Sequence, residues 1–167
     1  MGCVRVSWQV DERARAIERI YQQRYAGFRR AVSSVIGDYD RAHDAVQEGF
    51  ARALAKRDTY RGGSLEAWVW RIVLRRAFDL RPSSREVPLE LAFDPGLIPG
   101  ETDSELRAAI TALPARRRLV VFLRYFGDLS YEQIAEVCGV SAGTVAATLS
   151  QAHDELRRAL DLEGAER

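Results

Sequence analysis

Apolar residues recur at helical spacing along most of the chain, and no stretch alternates with the period of two that marks a strand. Ile17, Ile20, Tyr21, Arg24, Phe28, Val32 and Val35 follow one helical stripe, which predicts a first helix over about residues 11–36, closed by Gly37. Asp38 or Asp40 then serves as N-cap of a second helix. There Ala42, Val46, Phe50, Ala53 and Leu54 form the buried stripe, and Asp44, Gln47, Glu48 and Arg52 the polar face. Arg61, Gly62 and Gly63 make a loop, Ser64 caps a third helix from Leu65 to about Leu80, and Pro82 closes it.

Pro82 to Gly100 contains four prolines, two glycines and no sustained periodicity, which marks a linker between two helical modules. Helical spacing returns at Asp103 or Ser104 through Leu106, Ile110 and Leu113. Pro114 opens a further helix carrying Leu119, Val120, Phe122, Leu123 and Phe126. Ser130 with Gln133 forms a capping box, Gly139 stops the short helix that follows, and Ser141 caps the next. Val145, Leu149, Ala152, Leu156 and Leu160 give that last helix one clean stripe. Two short helices around a tight turn form the unit that places one helix in the major groove of DNA, and they equally suit a plain helical hairpin. The expected fold class is all-α: two small helical domains, residues 11–81 and 103–162, joined by an acidic, Pro-rich linker at 82–102.

Charge changes this picture more than composition does. Of the 167 residues 47% are hydrophobic, and the formal net charge is only +1. Residues 11–81 hold fifteen basic side chains against ten acidic, residues 82–105 one against six, and residues 106–167 eight of each. A basic first half suits a polyanionic partner, while the acidic middle would repel one. No apolar run approaches the ~20 residues needed to span a bilayer, so no membrane insertion and a cytoplasmic location are expected. Cys3 and Cys138 lack metal-ligand spacing, and Cys138 reads as a small core residue. His43 and His153 have no recognisable nucleophile, paired acid or metal-binding companion nearby in sequence, so no enzyme activity, metal or cofactor is expected.

Three stretches read together resemble the extracytoplasmic-function sigma factors, the small bacterial subunits that direct RNA polymerase to promoters. The first is Asp44-Ala45-Val46-Gln47-Glu48-Gly49-Phe50. The second is Tyr60-Arg61-Gly62-Gly63-Ser64, leading into Trp68-Val69-Trp70-Arg71-Ile72. The third runs from Leu113-Pro114-Ala115-Arg116-Arg117-Arg118 through Leu123-Arg124-Tyr125 and Leu129-Ser130-Tyr131-Glu132-Gln133-Ile134-Ala135 to Gly143-Thr144-Val145. Their order covers about residues 17–160.

The resemblance implies an N-terminal domain that binds core RNA polymerase and opens the minus-ten promoter element. It implies a C-terminal domain that reads the minus-thirty-five element as duplex, with an anti-sigma factor as a further partner. On that basis Asp44, Gln47, Glu48 and Arg52 face the polymerase clamp. Tyr60, Arg61, Trp70, Arg71, Ile72, Arg75 and Arg76 serve the minus-ten element, where an unstacked base needs an aromatic or apolar pocket and its phosphates need cations. Helical spacing sets Trp68 and Trp70 on different faces, so at least one is core, and Trp68 is the expected one. Arg75 stands where the family commonly has Asn. The acidic linker residues Glu86, Glu90, Asp94 and Glu101 would lie in the polymerase interior, or else form a charge-extended tether.

For the minus-thirty-five element the resemblance points to Arg116, Arg117, Arg118 and Arg124 on the DNA backbone. Ser141, Thr144, Ala147, Ser150 and Gln151 would lie against the duplex, Gln suiting adenine and Ala the thymine methyl. Family members commonly carry Lys or Arg where this chain has Ala146, Thr148, Gln151 and His153. Each phosphate contact adds ~0.9 to the logarithmic salt slope, so the absence of these cations weakens duplex binding. A sigma-like protein that mainly contacts another protein, and a stand-alone helix-turn-helix regulator, remain as alternatives.

Overall fold

The computed structural model describes residues 4–80 and 104–165, with side chains described for 12–80 and 104–161. The linker reading at 82–102, including Glu86, Glu90, Asp94 and Glu101, lies outside the described residues. All regular structure among the described residues is helical. The first three helices are α1 (Val4–Ile36), α2 (Tyr39–Ala55) and α3 (Leu65–Asp79), with a 3-10 turn at Arg57–Thr59 before α3. The last four are α4 (Ser104–Ala112), α5 (Ala115–Tyr125), α6 (Tyr131–Cys138) and α7 (Ala142–Ala165).

Local chemistry sets most of these boundaries. Asp38 accepts from the backbone N–H groups of Asp40 and Arg41, both at 2.9 Å, and so caps α2. Ser64 accepts from Ala67 N–H at 3.1 Å and caps α3. Ser130 and Gln133 close the reciprocal capping box of α6. Gly139 ends that helix at φ 67°, a left-handed conformation that costs glycine no Cβ clash. α1 begins at Val4 rather than near residue 11. Val4, Val6 and Val10 depress helix propensity without forbidding it, and no stop signal separates them from the residues that follow. Pro114 sits one place earlier than expected, as the N-cap of α5.

In the first half α1, α2 and α3 pack around Ile17, Phe28, Val32, Val46, Phe50, Trp70 and Val73. Phe28 stacks on Trp70 with centroids 3.6 Å apart and meets Phe50 edge-on at 4.8 Å. In the second half α4 to α7 enclose Leu113, Phe122, Leu123, Leu129, Ile134, Val145 and Leu149.

The two halves share one continuous core, because α1 packs on α5 and α3 on α6. Gly27 allows the closest approach at this seam: a Cβ there would overlap the carbonyl oxygen of Phe126. Around it, Arg24 lies 3.5 Å from Glu66 and 3.2 Å from Asp128, and the guanidinium of Arg30 stands over the Phe126 ring. The Gln133 side-chain amide donates to Ser64 Oγ at 2.9 Å, so the residue that completes the α6 cap also reaches the α3 cap.

Burial pushes the Glu66 carboxyl above its ordinary pKa, Arg24 opposes the shift, and Asp128 adds to it. The folded chain therefore holds this proton more tightly than the unfolded chain. The contribution is fully present at low pH and is lost as pH rises through the raised value. Glu66→Gln, which carries no charge to desolvate, is expected to melt higher than the native chain at pH 7 and at the same temperature at pH 4. Thermal unfolding followed by circular dichroism reads this, and a lower melting temperature at pH 7 would mean that attraction to Arg24 outweighs burial.

Candidate functional site

Asp44, Gln47 and Glu48 are exposed on one face of α2, as residues three and four apart must be. Glu48 ion-pairs with Arg76 of α3 at 2.5 Å, and that hydrogen bond holds its carboxyl below the usual carboxylate range. Arg76 is thereby tied to the α2 face rather than left open toward a strand. Arg52, one turn beyond Glu48, lines a cleft of about 460 Å3 together with Lys56, Arg71, Ile72, Arg75 and Asp79.

The loop before α3 is built on glycine. Gly62 and Gly63 take φ values of 114° and 89°, and the Tyr60 hydroxyl donates to Gly63 carbonyl oxygen at 2.6 Å, folding the loop back on itself. Arg61 is exposed and donates to the carbonyl of Asp58. Trp68 is the half-exposed tryptophan, edge-on to Tyr60 with centroids 5.7 Å apart. Trp70 corrects the sequence expectation: it has no exposed surface and stacks on Phe28, so it cannot meet a base. The reason is that α3 is covered on two sides, by α1 and α2 on one and by α6 on another. Beside the glycine loop, the aromatic surface left partly open is that of Tyr60 with Trp68.

On α7 the outer face presents Thr144, Ala147, Ser150 and Gln151, all exposed, while Val145, Leu149 and Ala152 are buried beneath. Ser141 Oγ accepts from Thr144 N–H at 3.1 Å and so starts the helix. No Lys or Arg occurs from Ala142 to Leu156. The arginines expected on the DNA backbone divide by burial. Arg116 is exposed. Arg117 pairs with Glu155 and donates to Gln151 Oε1 at 3.1 Å, so it steadies the outer face of α7.

Arg118 is the second correction. It is 1% exposed and donates to the carbonyls of Thr111 at 2.6 Å and Leu113 at 3.5 Å. It satisfies carbonyls left open at the end of α4 and is out of reach of a phosphate. Arg124 donates to Leu129 carbonyl oxygen and lies over the Tyr131 ring, bracing the turn into α6.

The family model for Sigma-70 region 2 matches residues 20–85, and that for Sigma-70 region 4 matches residues 103–160. ECF RNA polymerase sigma factor EcfG of Rhodopseudomonas palustris (strain TIE-1) is 37% identical over 143 residues, covering 80% of this chain and 78% of its own. The chain belongs to the extracytoplasmic-function sigma factors. RNA polymerase sigma factor SigV of Bacillus subtilis (strain 168) is 30% identical over 142 residues, 81% of this chain and 86% of its own. Among solved structures, the sigma factor RpoE in complex with the anti-sigma factor NepR from Bartonella quintana superposes with a TM-score of 0.69 at 25% identity. That match covers 86% of this chain and 96% of the other.

This sigma factor directs RNA polymerase to promoters. Two residues at the site, Glu136 and Lys56, carry no motif of their own in the sequence. The capping residues Ser64 and Gln133 also join the two halves, as does Glu136, which lies 3.8 Å from Arg71, and Lys56 lines the cleft with Arg52. Lys56 follows Arg52 by four residues, and that spacing is the one signal that places it there. His43 is half-buried and hydrogen-bonded to the Tyr25 hydroxyl, whose pKa is raised by burial. Burial also raises the Cys138 thiol, and Cys138 lines a seam cavity of about 490 Å3 with Val35, Leu74, Phe78 and Leu119. Among the described residues no His, Cys, Asp and Glu group is placed to hold a metal, and no helix is long and apolar enough to cross a membrane.

Proposed function

We propose that the sigma factor divides its work by domain. Residues 11–81 bind core polymerase through Asp44, Gln47 and Glu48 and open the minus-ten element at the Tyr60 loop, where Trp68, not Trp70, takes the aromatic role. Residues 103–162 read the minus-thirty-five duplex. The observation that carries this reading is the outer face of α7: four small or amide side chains stand exposed over a fully buried inner stripe, right after a capped turn. Such a face serves to approach base edges closely.

With Arg116 the one exposed member of the 116–118 run and no basic residue on α7 before Arg157, the duplex affinity of this domain alone is low. Polymerase supplies the remainder by tethering, which raises the local concentration of the helix at its site. A regulator of the anti-sigma kind fits the same molecule, since the RpoE neighbour was solved with one bound.

Asp44→Arg places a cation on the α2 face without touching the core. It is expected to weaken core polymerase binding at least tenfold, on the order of 1.4 kcal/mol, while melting with the native chain. Fluorescence titration of labelled protein with core polymerase at low salt measures it. Native affinity in this variant would remove α2 from the clamp contact.

A further inference from the structure

The first turn of α3 lies under the second half of the chain, because Ser64, its cap, accepts from the Gln133 side chain at 2.9 Å. Glu66 belongs to that turn. An acid in the first turn of a helix is ordinarily favoured as the carboxylate, since it meets the positive end of the helix dipole. Here the reverse holds. Only 25% of the Glu66 side chain is exposed, its Oε1 is out of solvent without a hydrogen-bond partner, and burial pushes its pKa up. The buried indole N–H of Trp70 favours the ionised form but falls short of a full hydrogen bond to it.

Two charged groups act on Glu66, and they come from different halves. Arg24 of α1 belongs to the same half, with Nε 3.5 Å from Glu66 Oε1. Asp128, in the turn between α5 and α6, belongs to the other half and accepts from the same guanidinium at 3.2 Å. Arg71 and Glu136, the other ion pair between α3 and the second half, neutralise each other. One cation, Arg24, is thus shared by two carboxylates across the seam. With both ionised the trio carries a net negative charge and the carboxylates repel. With Glu66 protonated it is neutral, and Arg24 is left to Asp128 alone.

We propose that Glu66 is a proton-operated clasp between the two halves. Protonated, it leaves Arg24 to Asp128 and the halves stay closed. Ionised, it draws Arg24 back into its own half, repels Asp128 and favours opening. The closed chain binds the proton more tightly than the open one, in which Glu66 regains solvent and loses Asp128 while keeping Arg24. Closure is therefore strongest at low pH and weakens as pH rises through the raised Glu66 value. Each unit by which closure raises that value changes the closed-to-open ratio about tenfold across the range. Opening releases the proton, so any partner that requires the open chain binds more tightly as pH rises. The inference goes beyond the domain roles proposed above and rests on them only for the polymerase arm of its test.

The first arm is small-angle scattering of the full chain between about pH 5 and pH 8. The native radius of gyration is expected to rise with pH. General charge repulsion runs the other way, because acid makes the chain more basic and expands it. Glu66→Gln, neutral throughout, should hold the compact radius over the whole range. Glu136→Gln, which removes the carboxylate that pairs with Arg71, should keep the rise. The second arm titrates core polymerase calorimetrically in buffers of different ionisation heat, which counts protons. The native chain is expected to release up to one proton more than Glu66→Gln.

A native radius that stays flat with pH overturns the clasp. So does a rise that survives in Glu66→Gln, since another group would then be titrating. Equal proton release by the native and Glu66→Gln chains overturns the link to polymerase. If core polymerase does not bind the native chain the domain roles fail instead, and scattering still decides the clasp.

Discussion

Trp70→Ala is expected to destabilise the α1–α3 half by about 3–5 kcal/mol, the range for truncating a large aromatic in a packed core. Trp70 has no exposed surface, stacks on Phe28 at 3.6 Å, and is the side chain against which Gly127 of the second half closes. Its removal therefore leaves a cavity at the junction of α1, α3 and the seam, where backbone already in close contact cannot collapse to fill it. Trp68→Ala is expected to cost about 1–2 kcal/mol, because the ring is half-exposed and packs mainly on Tyr60. The two variants should separate in opposite senses. Urea unfolding reports the large effect for Trp70, and promoter opening by reconstituted polymerase, read with permanganate on unpaired thymines, reports the larger effect for Trp68. Equal midpoints in urea would undo the core assignment of Trp70.

The helices are legible in the sequence because each boundary carries its own chemistry: Asp38, Ser64 and Ser130 cap, Gly139 reverses, and the apolar stripes between them leave little choice of face. The two tryptophans are not. They lie about 160° apart on an ideal helix, and which one is buried depends on α3 being covered by α6 as well as by α1 and α2, a tertiary fact. Arg118 is a different failure. It sits three and four residues before Val121 and Phe122, so helical spacing already places it on the buried stripe. Reading Arg116-Arg117-Arg118 as one basic run hides that phase. The linker composition predicts two domains, but nothing in the sequence shows that the two halves close on each other. The closure rests on Gly27 and on side chains 40 or more positions apart, Ser64 with Gln133 and Arg24 with Asp128.

Gly27→Ala is expected to open the molecule. Alanine favours a helix interior over glycine by about 1 kcal/mol, so α1 itself gains. The added Cβ, however, overlaps a backbone carbonyl, that of Phe126, which cannot swing aside as a side chain can, so relief requires α5 and the turn after it to move away from α1. Small-angle scattering should show this as a rise of several Å above the roughly 15 Å radius of gyration of a compact chain of this length. An unchanged radius would place the adjustment inside the second domain and leave the seam shut.

The functional consequence follows from distance. The minus-ten and minus-thirty-five elements are centred about 25 base pairs apart, or roughly 85 Å of duplex at 3.4 Å per pair. A closed chain about 40 Å across, with Ser64 hydrogen-bonded to Gln133 at 2.9 Å, cannot reach both at once. Every contact at the seam, from Arg24–Asp128 to Arg71–Glu136, must therefore be given up when the promoter is engaged. Gly27→Ala gives up the seam in advance, so it should bind core polymerase and forked promoter DNA more tightly than the native chain while melting at a lower temperature.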